Sequence, residues 1–181
     1  MKLAKLLFVF GAMMSLVACG SSNGGELDKE PREVTREEFR AEAAKVEQHH
    51  YTEATMTWSY IERVDTQEDV HQGTSELQLE NGAWSYKSGD SYSMYVGGRS
   101  INSGMSYYAD MSEMEGHTTK FYVNPYKFVI SPIAEANLTN KKNFVVVFNE
   151  YGLCTSYNYN ILADFGDHVN EVTNSFTIVY R

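Results

Sequence analysis

The sequence predicts a mainly β protein of α+β type: a curved antiparallel sheet or half-open barrel preceded by one N-terminal amphipathic helix. Three observations carry this expectation. Several long stretches alternate apolar and polar residues with a period of two, the signature of half-buried strands. An Asn81-Gly82 pair, the strongest short hairpin signal, separates two of them. One capping signal, Thr35-Arg36-Glu37-Glu38, opens the single clear helical pattern. The composition agrees, because the 13 tyrosines and many β-branched residues favour sheet.

The chain opens with Met1-Lys2-Leu3-Ala4-Lys5, a basic flank, followed by the apolar run Leu6 to Ala18. Spanning a bilayer takes roughly 17 to 25 apolar residues, so this run is too short and instead has the length of a secretory h-region. Its end, Leu16-Val17-Ala18-Cys19, resembles the lipobox of bacterial lipoproteins. That resemblance implies a diacylglycerol on the Cys19 sulfur and cleavage just before it, with further acylation holding the protein stably at a bilayer. Residues 1–18 are then a signal peptide. Residues 19–33 are the lipidated cysteine and a flexible Gly/Ser- and charge-rich tether, with a reach of roughly 20 Å. Residues 34–181 form a single domain. No later apolar run offers a second span; Phe144 to Phe148 is the longest.

Loss of residues 1–18 removes Lys2 and Lys5, leaving 13 basic against 24 acidic residues and a net charge of −11. Such a domain is ill suited to nucleic acid, where clustered Lys and Arg neutralise phosphates. It is also repelled by anionic headgroups, so the lipid does the anchoring. With Cys19 lipidated, Cys154 is left without a disulfide partner, and the core alone must supply stability.

In the predicted helix Thr35 is the N-cap, Glu38 closes the capping box, and Val34 and Phe39 make a hydrophobic staple. Phe39, Ala43 and Val46 recur on one face, and the pattern runs to about His49, roughly four turns. The period then becomes two. Ala54, Met56, Trp58, Tyr60 and Val64 share one face of a strand, and Thr55, Thr57, Ser59 and Arg63 the other. Asp65 to Gly73 reads as a polar loop.

The Asn81-Gly82 turn sets a register: Glu80 opposite Ala83, Leu79 opposite Trp84, Gln78 opposite Ser85, Leu77 opposite Tyr86 and Glu76 opposite Lys87. A slip of one residue would scatter the large apolar side chains over both faces. "SYSMYVGG" and "GMSYYADM" read as short strands between Gly-rich turns, with Met105, Met111 and Met114 giving an adaptable apolar surface. Phe121-Tyr122-Val123 is a strand ended by Pro125. Ser131-Pro132 and "EANLTNKKN" mark an irregular connection.

Phe144 to Phe148, apolar throughout, predicts a central strand covered on both faces. After a turn at Asn149 to Gly152, Leu153, Thr155, Tyr157, Tyr159 and Ile161 share one face, with Cys154, Ser156, Asn158 and Asn160 on the other. Phe176, Ile178 and Tyr180 turn together in the last strand.

From Val34 to Tyr180 this order of elements, with Tyr122-Val123-Asn124-Pro125 after the middle strands, resembles lipoprotein-carrier proteins and related mycobacterial-type lipoproteins. The resemblance implies a half-open barrel whose concave face binds acyl chains. The cavity arginine common in those carriers has no counterpart here: Arg63 and Arg99 are the only arginines between the helix and Arg181.

Motifs for chemistry are sparse. Adjacent His49 and His50 point in different directions and lack a third ligand, so a solvated helix end suits them better than zinc. His71, His117 and His168 stand singly in polar stretches. Cys154 has no neighbouring base, and Asp164, Asp167 and Glu171 miss the ligand order of a calcium loop. No GxSxG, P-loop, HExxH or GxGxxG occurs. The expectation is a binding protein without catalytic, metal or cofactor sites.

Its candidate ligand face is Met56, Trp58, Tyr60, Leu77, Leu79, Trp84, Tyr86, Tyr157 and Tyr159. A single helix covers little of so broad a sheet, leaving a groove for a lipid or other amphipathic ligand. The alternative is a surface protein with a closed core that contacts a protein or glycan. Either is exported and anchored at the outer face of the cytoplasmic membrane or in the outer membrane.

Overall fold

The computed structural model describes residues 31–181 apart from 89–90, 115–117, 125–126, 132–139 and 165. The expected signal peptide, Cys19 and most of the tether lie outside the described residues. So do His117, residues 132–139 of the expected irregular connection and the side chains of Met111 and Met114; the end of that connection, Asn140 to Asn143, is strand instead.

The protein is mainly β. Its strands are β1 (Arg32–Val34), β2 (Glu53–Val64), β3 (Gln67–Glu80), β4 (Ala83–Ser88), β5 (Thr118–Val123), β6 (Lys127–Ser131), β7 (Asn140–Phe148), β8 (Cys154–Asp164) and β9 (Val169–Tyr180). They pair antiparallel in the order β1-β5-β6-β7-β8-β9-β2-β3-β4, and the sheet does not close into a barrel. The helices are α1 (Arg36–Ala43), α2 (Ser91–Gly97) and α3 (Met105–Met114), with a 3₁₀ turn at Gly98–Asn102. Among the described residues no helix is long and apolar enough to cross a membrane.

Helix α1 starts as predicted. Thr35 accepts from the Glu38 amide at 3.2 Å, and the Glu38 carboxylate accepts from the Thr35 amide at 3.0 Å. It ends sooner than predicted, at Ala43, so His49 and His50 lie beyond it in a segment without regular secondary structure. Phe39 anchors it, buried and 5.3 Å from the Phe121 ring. Strand β1, which the sequence pattern does not predict, pairs with β5 through the last residues of the expected tether.

The hairpin adopts the predicted register from Glu80–Ala83 through Leu77–Tyr86. Asn81 and Gly82 have φ of 52° and 80°, both in the left-handed region that a type I′ turn demands. The fifth pair fails. A bulge at Lys87 sets Glu76 opposite Ser88, and Lys87 turns instead to Glu53 at 3.3 Å while Glu76 meets Arg181 at 2.7 Å.

Four further expectations are corrected. Asp65 to Gly73 is not a loop. Only Asp65 and Thr66 turn, and β3 continues as a polar strand beside β2, bound by the Arg63–Glu68 ion pair. Asp65, at φ 53°, locks the turn by donating its amide to the Val169 carbonyl and accepting from the Val169 amide.

The two segments predicted as strands after residue 90 are α2 and α3. Their buried residues recur at helical spacing, Ser93, Val96 and Gly97, then Met105, Tyr108 and Ala109. Covering one sheet face outweighs the strand preference of Tyr.

Strand β7 is interior to the sheet, as predicted, but only Phe144, Val146 and Phe148 are buried. Val145 and Val147 are half-buried and lie opposite Asn158 and Ser156. In β8 a second bulge pairs Val147 with Ser156 but Phe148 with Cys154. The extra residue reverses the alternation, so Cys154 joins Tyr157 on the core side rather than Ser156.

The core lies between this sheet face and the helical layer. Val96, Ile101, Met105, Tyr108 and Ala109 meet Met56, Trp58, Leu77, Trp84, Phe144, Phe148, Phe176 and Ile178 in one buried cluster. The 3₁₀ turn is fastened to the edge strand by Asn102, whose carboxamide accepts from the Trp84 amide at 2.7 Å and donates to the Trp84 carbonyl at 2.9 Å.

Candidate functional site

All nine residues singled out from the sequence belong to this cluster. Met56, Trp58, Leu77 and Trp84 are buried within it, and Tyr60, Leu79, Tyr86, Tyr157 and Tyr159 are half-buried against it. Tyr157 stacks on Phe176 at 5.1 Å, and Trp84 packs 5.0 Å from Tyr180. Tyr86 donates to the Ser93 carbonyl of α2 at 2.8 Å, and burial pushes its phenol up to about 12. Gly97 lets α2 sit this close, since a Cβ there would collide with the Tyr86 hydroxyl. The aromatic stripe is thus packed under α2, the 3₁₀ turn and α3, a cover that strand alternation alone does not reveal.

Two of the histidines, His49 and His71, are neighbours of this core. His49 accepts from the Tyr51 amide through Nδ1 and stacks 6.1 Å from Trp84, rather than ending a helix. His71 lies in β3, not in a loop, and stacks on Tyr92 at 3.8 Å. His168 stays in a connection, Nδ1 2.7 Å from Asp167. Cys154 is buried; burial pushes its thiol up to about 12, so it is held as the protonated form. Asp164 accepts from the Gly166 amide to shape a turn, and among the described residues no group of three metal-binding side chains converges.

A groove of about 700 Å³ lies on the opposite, outward face of the sheet. Its walls are two rows running across β3, β2, β9 and β8. One row is Thr74, Thr57, Thr177 and Ser156; the other is Gln72, Ser59, Ser175 and Asn158. Between them run Gly73, Trp58, Phe176 and Tyr157, whose large side chains belong to the core cluster, so their main chain makes the floor. With strands about 4.8 Å apart, each row is about 14 Å long, and two-residue spacing sets the rows about 7 Å apart. Sequence alternation puts Thr57, Ser59, Ser156 and Asn158 on polar faces, but it does not show that β9 brings these faces side by side.

All eight wall residues are uncharged. Each hydroxyl donates and accepts, and each carboxamide does both, so the groove can match a ligand that carries donors and acceptors in alternation. It holds no nucleophile paired with a base. Comparison of the chain with protein-family models, with curated proteins and with solved structures finds no match.

Proposed function

We propose that the protein is a non-catalytic, lipid-tethered envelope protein that binds a neutral glycan along the outward groove of its sheet. In this reading residues 1–18 direct export, Cys19 carries the lipid, and the aromatic face is the closed core of a contact protein. The observation that carries the reading is the pair of rows from Thr74 to Ser156 and from Gln72 to Asn158, eight hydroxyl or amide side chains without an ionised group among them. A charged ligand would lose its hydration there without gaining a counter-ion, whereas sugar hydroxyls can exchange water for these partners. The packing of Met56, Trp58 and Leu77 at 3% exposure or less also supports it, because an acyl chain would first have to lift the helical cover.

The test is calorimetric titration of the lipidated protein, held in a polyoxyethylene detergent, with neutral and acidic oligosaccharides. A neutral oligosaccharide binds saturably, with little dependence on salt. Thr177→Val, which keeps the shape and removes the hydroxyl, weakens binding about five-fold, as loss of one hydrogen bond of roughly 1 kcal/mol requires. Saturable binding of phospholipid or fatty acid with no glycan binding would overturn the proposal and return the ligand site to the aromatic face.

A further inference from the structure

Tyr60 and Glu62 succeed one another on the helix-bearing face of β2, beyond the buried Met56 and Trp58. Helix α2 brings Tyr92 and Tyr95, three residues apart, over them. Tyr92 is set firmly: its ring lies parallel to Trp58 at 6.4 Å and stacks on His71. Tyr60 stands 5.9 Å from Tyr92 at 47° and 5.6 Å from Tyr95 at 77°, so the rings form angled walls rather than a stack. With Ser91 and Glu62 they line an open cavity of about 400 Å³. Glu62 is held on both oxygens, one accepting from the Tyr60 hydroxyl at 3.1 Å and the other from the Asn170 side-chain carboxamide at 3.0 Å. Tyr95 is 68% exposed and Met94 beside it 58%, so core packing does not account for this tyrosine.

We propose that Tyr60, Tyr92, Tyr95 and Glu62 form an aromatic cage for a methylated ammonium group. Ring faces carry the negative lobe of the aromatic quadrupole and attract a cation within about 6 Å of the centroid. The nearby carboxylate adds charge of the same sign. An anion is repelled by both, and a neutral apolar group gains nothing from Glu62. A metal ion is less well served: Asp69, opposite Glu62 on β3, is paired to His71, and among the described residues no group of three or more His, Cys, Asp or Glu side chains converges. An unmethylated ammonium is better served by water than by ring faces, whereas a trimethylammonium head has methyl groups to bury and a diffuse charge to satisfy. Burial and Glu62 together keep the Tyr60 phenol protonated well above neutral pH, so its ring stays an uncharged wall. The cage lies on the face of the sheet opposite the hydroxyl-lined groove and stands independently of the glycan reading.

Calorimetric titration of the same detergent-held protein with tetramethylammonium, choline and glycerophosphocholine tests the cage. The neutral isostere 3,3-dimethylbutanol is the control. The cations bind saturably and the isostere does not. Tyr95→Ala and Glu62→Gln each weaken binding about five-fold or more, Tyr95→Phe retains it, and Thr57→Val on the other face leaves it unchanged. Glycerophosphocholine binding as tightly as choline identifies a lipid headgroup as the source of the cation, and weaker binding identifies a free one. Because Tyr95 is mostly exposed, Tyr95→Ala keeps the wild-type circular dichroism, so its loss of affinity reports the site and not the fold. No saturable binding up to tens of millimolar overturns the proposal, as does equal binding of the isostere or full affinity in Tyr95→Ala.

Discussion

Gly73 faces Trp58 across the β2–β3 ladder, and a Cβ built there would stand 2.8 Å from the indole Cζ2. That ring is the large side chain beneath the groove floor, at 3% exposure, with little room to retreat. Glycine in a strand normally costs stability, so an alanine at a neutral position would gain roughly 0.5–1 kcal/mol. Here the sign should reverse. Gly73→Ala is expected to destabilise the fold by about 1–3 kcal/mol, the usual result of overpacking. Denaturant unfolding followed by tryptophan emission measures both the loss and the displaced indole. An unchanged or raised midpoint would show that the ring does not rest against Gly73.

Among the elements, the helical cover is joined to the sheet by shared core packing and by side-chain hydrogen bonds, of which the Asn102 pair is one. The Asn102 carboxamide takes the place of a neighbouring strand at Trp84, satisfying both main-chain groups on the open side of β4. Asn102→Ala strands a part-buried amide and should cost about 1–3 kcal/mol. Hydrogen exchange at the Trp84 amide should quicken in the variant while the β2–β9 ladder stays protected; equal exchange in both proteins would refute the attachment. Elements also differ in how far the sequence reveals them. The Thr35–Glu38 capping box and the Asn81-Gly82 turn are legible because each is decided by residues within a few positions of one another. The bulge at Thr155, the polar extension of β3 and the helices α2 and α3 are not, because each answers to distant partners. The spacing of Met105, Tyr108 and Ala109 does carry a helical signal, hidden by a tyrosine-rich composition that favours strands. At the candidate groove, the polarity of Thr57, Ser59, Ser156 and Asn158 is visible only strand by strand. The non-sequential β2–β9 and the β8–β9 pairings are what turn these residues, with Ser175 and Thr177, into walls.

At the scale of the whole molecule, the charge balance and the proposed anchor make a joint prediction. The full chain carries −9, and on the proposed reading −11 once Lys2 and Lys5 leave with the signal, a balance that disfavours anionic lipid surfaces. Strand β1 starts at Arg32 on an edge of the sheet, and the Gly/Ser- and charge-rich stretch between it and Cys19 has the composition of a tether reaching roughly 20 Å. On the proposed lipobox reading, attachment comes from acyl chains and not from charge, and two or more chains suffice for stable residence. Wild-type protein should incorporate radiolabelled palmitate and stay with the membrane pellet through washes in high salt and in alkaline carbonate. Cys19→Ala should lose the label and leave the pellet, with the circular dichroism of the domain unchanged, because the substitution precedes the domain in the chain. Release of the wild type by salt would mean that charge holds it. Undiminished labelling of Cys19→Ala would place the lipid elsewhere and remove the basis for reading Leu16-Val17-Ala18-Cys19 as a lipobox.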